Sequence, residues 1–215
     1  MPFSRSVKIL IPAAVLIVLG MAAAVFTARY YRTAERPADI QGLLWPHPKK
    51  LHAFETVTDT GARFGIDQLH GKWSFIYFGF THCQDTCPFT ASVMSQVYQR
   101  LHQQHLAGNV QMLFVTVDPE RDTSQRLADF LQQYDSPITG LGGSLAQVRS
   151  LASQIGVAFS KGKTGKDGGY DMNHSAALFL IGPEGRLLSL FYQPLKPDAV
   201  FDRFQRIRAF IREQT

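Results

Sequence analysis

The run Ser74-Phe75-Ile76-Tyr77-Phe78-Gly79-Phe80 constrains the fold more than any other stretch of the sequence. It is continuously apolar and aromatic and ends in small and polar residues, which predicts a buried strand. The chain's only two cysteines follow it after a Thr81-His82 turn, in Cys83-Gln84-Asp85-Thr86-Cys87-Pro88. A spacing of four puts both on one face of the first turn of a helix, where the sulfurs can reach one metal ion or each other. Unpaired N–H groups and the dipole at a helix N-terminus favour a thiolate, which is both a nucleophile and a metal ligand. A structural disulfide is the plainer alternative, since i,i+4 Cα atoms lie roughly 6 Å apart. Closing so short a loop, however, constrains little of the unfolded chain.

Around this strand, helix and strand signals alternate. Phe54–Thr58 turns at Asp59-Thr60-Gly61 into a small hairpin, and a helix is predicted from Pro88 to His105, with Val93, Met94, Val97, Tyr98 and Leu101 at helical spacing. Val110–Val117 reads as the next strand. Asp118-Pro119-Glu120-Arg121-Asp122-Thr123 leads into a helix ending near Tyr134, with Asp122 or Thr123 as N-cap. An apolar segment near Ile138, a helix over Ser144–Ile155 and a strand at Val157–Phe159 come next. Lys161–Gly169 reads as a flexible basic loop with no capacity to pack. Strands at Ala176–Ile181 and Arg186–Phe191 flank the turn Gly182-Pro183-Glu184-Gly185, and Pro197–Arg212 is a closing helix. This order describes an α/β fold with a mixed sheet flanked by helices, as in a thioredoxin-like domain.

The folded unit is assigned to residues 51–215, preceded by a tail (1–8), an apolar segment (9–28) and a linker (29–50). Ile9–Ala28 holds 20 residues without a charge, and as a helix it is about 30 Å long, the thickness of a bilayer core. It is read as a single transmembrane anchor; a signal peptide cleaved near Met21-Ala22-Ala23-Ala24 is the competing reading. The flanking charges, Arg5 and Lys8 against Arg29, Arg32 and Arg36, leave orientation open, but a long folded domain behind a short tail is normally translocated. The net charge of +5 points to no nucleic acid. Residues 1–36 hold five Lys/Arg and one acid, so seventeen basic and sixteen acidic residues remain for the nearly neutral domain.

In open α/β sheets functional groups gather beyond the carboxyl ends of the parallel strands. Cys83 and Cys87 follow one such strand and Asp118 follows another. His174, in Tyr170-Asp171-Met172-Asn173-His174-Ser175, stands just before the Ala176–Ile181 strand, in the position of the thioredoxin-fold loop that faces the active cysteines. Two thiolates and an imidazole suit copper better than zinc, because a structural zinc site normally takes four protein ligands and no fourth is evident. His82 and Met172 are weaker candidate ligands. His102 and His105 read as solvated, and Met94 and Met112 as core.

Three ordered motifs carry a family resemblance: Gly79-Phe80-Thr81-His82-Cys83-x-Asp85-x-Cys87-Pro88, Val117-Asp118-Pro119-Glu120-Arg121-Asp122-Thr123, and Asn173-His174-Ser175 followed by Phe179-Leu180-Ile181-Gly182-Pro183-x-Gly185. Together they resemble the Sco (SenC) family over roughly residues 51–212. The resemblance implies a membrane-anchored copper metallochaperone that assists assembly of the copper A centre of cytochrome c oxidase, with Cys83, Cys87 and His174 as copper ligands. It also implies a domain outside the cytoplasmic membrane of a bacterium or in the mitochondrial intermembrane space, of which the short N-terminus favours the bacterial membrane, and the copper A subunit or another copper chaperone as partner. Asp118, Arg121 and Asn173 are expected around the ligands. Gln84 replaces a usual proline, and Asn173 an acidic residue that often precedes the histidine; both substitutions leave the ligands in place. The rival function is a thiol–disulfide oxidoreductase using Cys83 and Cys87 as a redox dithiol supplied by a thiol reductant. It has no need of His174, so dependence on that residue separates the two.

Overall fold

A computed structural model describes residues 17–25, 27, 43–45, 48–164 and 169–213. The chain divides into two units, residues 1–41 and 42–215. In the first, residues 17–25 and 27 are helical, and Ile17, Val18, Leu19, Met21 and Val25 are exposed. Half of the expected 9–28 anchor lies outside the described residues, and no helix among those described is long and apolar enough to cross a membrane.

The second unit is built on an eight-stranded sheet ordered β1-β10-β9-β4-β5-β6-β2-β3. Its strands are β1 (Lys49–Lys50), β2 (Glu55–Thr58), β3 (Arg63–Gly65), β4 (Trp73–Gly79), β5 (Val110–Thr116), β6 (Ile138–Gly142), β9 (Leu178–Ile181) and β10 (Arg186–Phe191). A separate two-stranded ribbon is formed by β7 (Phe159–Thr164) and β8 (Tyr170–His174). The helices are α1 (Thr86–Gln103), α2 (Ser124–Leu131), α3 (Leu145–Ile155) and α4 (Pro197–Arg212), with a 3₁₀ turn at Ile66–Gln68.

Every residue of β4 is buried, as its unbroken apolar sequence demands of a central strand covered on both faces. Phe75 packs against Phe204 of α4 at 5.1 Å and Phe191 at 6.0 Å, and Trp73 meets Phe204 edge-on at 5.4 Å. Each such side chain contributes about 1.5–3 kcal/mol by leaving water. β4 runs parallel to β5 and antiparallel to β9, with Tyr77 paired to both Phe114 and Leu178. The C-terminal ends of β4 and β5 and the entry to β9 therefore share one edge. That register delivers the cysteine loop, the Asp118–Thr123 loop and His174 to the same place.

Two local expectations are corrected and a third is narrowed. α1 ends at Gln103 because His105 adopts φ 57°, and the Leu106 amide folds back onto the Leu101 carbonyl at 2.8 Å. Thr123 alone caps α2, accepting from the Arg126 amide at 3.2 Å; the Asp122 carboxylate is engaged elsewhere. The strand expected at Val157–Phe159 instead covers Phe159–Thr164, so the first part of the supposed basic loop is β-structure. It pairs with β8 through Phe159↔His174 and Lys161↔Met172. Backbone pairing needs no apolar content, which is why composition there misleads. Residues 165–168 lie outside the described set.

Candidate metal centre

β4 must end on a residue without a side chain. A Cβ on Gly79 would stand 2.8 Å from Phe114 Cζ, 2.8 Å from Tyr77 Cε1 and 3.0 Å from Cys87 Sγ, all in the packed interior. Gly79→Ala is expected to destabilise the domain by about 1–3 kcal/mol through overpacking. A thermal midpoint equal to wild type, read by circular dichroism, refutes this.

Beyond Gly79 the Cys83 amide donates to the Phe80 carbonyl at 3.3 Å, and the chain enters α1. Asp85 occupies the N-cap position, but its side chain makes no capping bond. Instead the Cys87 amide donates to Cys83 Sγ at 3.3 Å, so a sulfur serves the first helical turn. Both cysteines are free; Cys83 is partly exposed and Cys87 fully buried. Burial, reinforced by the neighbouring Cys83 sulfur, pushes the Cys87 thiol up to about 12. Tyr77 Oη, itself buried, donates to Cys87 Sγ at 3.8 Å.

His174 ends β8 with Nε2 3.9 Å from Cys87 Sγ. Its Nδ1 lies 3.2 Å from the Ser175 carbonyl. A carbonyl only accepts, so Nδ1 carries the proton and Nε2 presents a bare lone pair to the sulfur. Burial, only partly offset by the Ser175 carbonyl, holds the imidazole below its ordinary value and hence neutral near pH 7. Tyr77 and Phe80 present themselves edge-on to the ring, with centroids 6.1 and 5.9 Å away. Two ligands of one ion, with bonds near 2.3 Å for sulfur and 2.0–2.1 Å for nitrogen, are separated by roughly 3.6–3.8 Å. The Cys87–His174 pair, at 3.9 Å, stands just beyond that spacing. Among the described residues no three ligating side chains converge as they stand; the Cys83 sulfur faces the Cys87 amide.

The other predicted residues hold the frame. The fully buried Asp122 carboxylate accepts from the Thr81 amide at 3.0 Å, Thr81 Oγ1 at 2.6 Å and Thr116 Oγ1 at 2.6 Å, and His82 Nδ1 lies 3.7 Å away. It stitches the cysteine loop to the end of β5. Asp118 accepts from the Tyr170 hydroxyl at 2.9 Å and pairs with Arg121. Arg121 Nη1 donates to the Tyr170 carbonyl at 3.0 Å, and its guanidinium lies 3.6 Å from the Tyr170 ring centroid. Asn173 is exposed on the outward face of β8, and Met172 lines a small cavity with Lys161 and Tyr170. His102 stacks on Tyr98 with centroids 6.5 Å apart; Met94 and Met112 are core residues. Sequence reasoning overlooked Tyr77, Tyr170 and Gly79. A hydroxyl inside the apolar β4 run, and the two-residue alternation Tyr170-Met172-His174, were the available signals.

The SCO1/SenC family model matches residues 46–209. The human mitochondrial SCO1 homolog is 35% identical over 140 residues, covering 65% of this chain and 46% of that protein, so the matched stretch spans about half of the relative. The SCO2-like protein of Rickettsia felis is 29% identical over 201 residues, 93% of this chain and 96% of its own length. The crystal structure of Arabidopsis thaliana ScoI with copper bound superposes with a TM-score of 0.68 at 30% identity, covering 74% of this chain and 98% of that one. The fold is thus the mixed, helix-flanked sheet of the Sco thioredoxin-like proteins, and the chain belongs to the SCO1/SenC family.

Proposed function

We propose that this domain binds copper as cargo through Cys83, Cys87 and His174 and passes it on by ligand exchange, serving assembly of the copper A site of cytochrome c oxidase. The carrying observation is the bare His174 Nε2 aimed at Cys87 Sγ from 3.9 Å, with the second thiol one helical turn away. Thiolates suit Cu(I) and the imidazole accommodates Cu(II), so one donor set serves both states. A solved relative at 30% identity carries copper. Cys83, the partly exposed ligand, is the natural point of entry and transfer. Residues 9–28 anchor the chain in the bacterial cytoplasmic membrane with the domain outside, where a thiol reductant keeps both sulfurs reduced.

The test is a Cu(I) titration of the reduced, detergent-extracted full chain, recovered from the membrane fraction, against a chromogenic chelator. One-to-one binding is expected, weakened about 10- to 100-fold by His174→Ala. Affinity rises with pH: the Cys87 proton must leave, and because its thiol sits near 12 that single group gives about tenfold per unit from pH 6 to 9. Failure to compete with the chelator at any pH rules the reading out. The exposed-and-buried thiol pair also suits the oxidoreductase rival, in which Cys83 thiolate attacks a partner disulfide and Cys87 resolves the mixed disulfide. The raised Cys87 thiol disfavours that second step, and reductase activity would survive His174→Ala.

A further inference from the structure

His174 rides on a ribbon that does not belong to the main sheet: among the described residues β7 and β8 pair with each other alone. An isolated two-stranded hairpin is marginally stable in water, so where its end lies depends on how it is docked. Tyr170, Met172 and His174 alternate on the half-buried face of β8, with Asp171 and Asn173 exposed between them. At about 3.3 Å per residue, Tyr170 and His174 mark two points roughly 13 Å apart on one face of one strand.

The Tyr170 end is where the Asp118-x-x-Arg121 motif meets the ribbon. The phenol donates to Asp118 Oδ1 at 2.9 Å, Arg121 Nη1 reaches the Tyr170 carbonyl at 3.0 Å, and the guanidinium lies against the ring. Lys161 Nζ, from β7, lies 3.6 Å from the same ring centroid. Asp118 is itself buried, pairs with Arg121, and its amide donates to Thr116 Oγ1 at 2.9 Å. The receiving side is therefore rigid and continuous with β5, the strand beside β4.

We infer that Tyr170 is a positioning residue for His174: its hydroxyl on Asp118 and its ring against Arg121 latch the outer ribbon so that the imidazole stays over Cys87. Asp118 and Arg121 act on the metal centre through this latch rather than at the ion. The inference deepens the proposed copper site and rests on it for its consequence, although the latch itself is readable without metal.

The test compares Tyr170→Phe with Tyr134→Phe in the full, detergent-solubilised, metal-free chain. Tyr134 also donates a hydroxyl bond, a longer one to the neutral Pro88 carbonyl at 3.3 Å, and lies off the ribbon. In wild type the Tyr77 and Phe80 rings, edge-on to His174 with centroids 6.1 and 5.9 Å away, are expected to displace its ring resonances. Tyr170→Phe is expected to move them toward those of solvated histidine and to speed amide exchange over residues 172–175 about tenfold. Tyr134→Phe should change neither, at a similar thermal midpoint. Arg121→Lys, which keeps the charge beside Asp118 but loses the bond to the Tyr170 carbonyl, should shift His174 in the same direction. His174 resonances in Tyr170→Phe and Arg121→Lys that coincide with wild type overturn the latch. In the copper titration Tyr170→Phe should fall between wild type and His174→Ala. A wild-type chain that binds no copper overturns the cargo reading, while the metal-free resonances still decide the latch.

Discussion

Cys87→Ser is expected, if copper binds at the proposed site, to abolish tight copper binding while the domain stays folded. The exchange removes one soft donor from a set in which softness selects the ion, and a serine hydroxyl stays protonated where a thiol can be deprotonated by the metal. If structural metal sites draw about 10–16 kcal/mol from four ligands, one ligand is worth roughly 3 kcal/mol, so the affinity loss is about a hundredfold to a thousandfold. Folding is expected to be spared because serine is close in size to cysteine. Competitive titration beside a thermal melt separates the two effects. Wild-type affinity in the folded variant would remove Cys87 from the site. Cys83→Ser should lose affinity comparably with less effect on stability, since Cys83 is partly exposed and accepts one amide.

The largest stability effect is expected at a residue that touches neither thiol. Asp122→Ala strips the acceptor from the Thr81 amide and from the Thr81 and Thr116 hydroxyls, around a carboxylate with no exposed side-chain surface. Buried donors left unpaired cost about 1–3 kcal/mol each, and partial relaxation of the threonine rotamers makes about 3 kcal/mol a fair total. For a domain of this size that lowers the midpoint by about 6–12 °C. Because Thr81 precedes the cysteines by two residues, the variant should also lose copper affinity before it unfolds. A melt shifted by less than about 1 kcal/mol would show that the stitch between the cysteine loop and β5 is dispensable. Asp122→Asn, which keeps an acceptor for one or two of the donors, should fall between the two.

The site was legible in the sequence where chemistry is local. Cys83 and Cys87 declare themselves by number and spacing, and β4 by an apolar run that only a central strand accommodates. The closing helix Pro197–Arg212 has the limits expected from its proline and apolar spacing. The hairpin was not legible, because β7 is held by backbone pairing to β8 and by cations on one tyrosine, neither of which leaves a mark in hydrophobic periodicity. The choice between Asp122 and Thr123 as N-cap was open for a related reason: both stand where an N-cap stands, and only the arrival of Thr81 from 41 residues away gives the Asp122 carboxylate a better partner.

The sequence by itself therefore determined the alternation of elements, the buried central strand and the two sulfurs, since each depends on residues within a few positions of one another. Tertiary structure decided the rest. Parallel pairing of β4 with β5 and antiparallel pairing with β9 bring segments separated by 87 residues to one edge, where His174 Nε2 meets Cys87. That meeting is a property of strand direction and register, which no stretch of chain encodes alone.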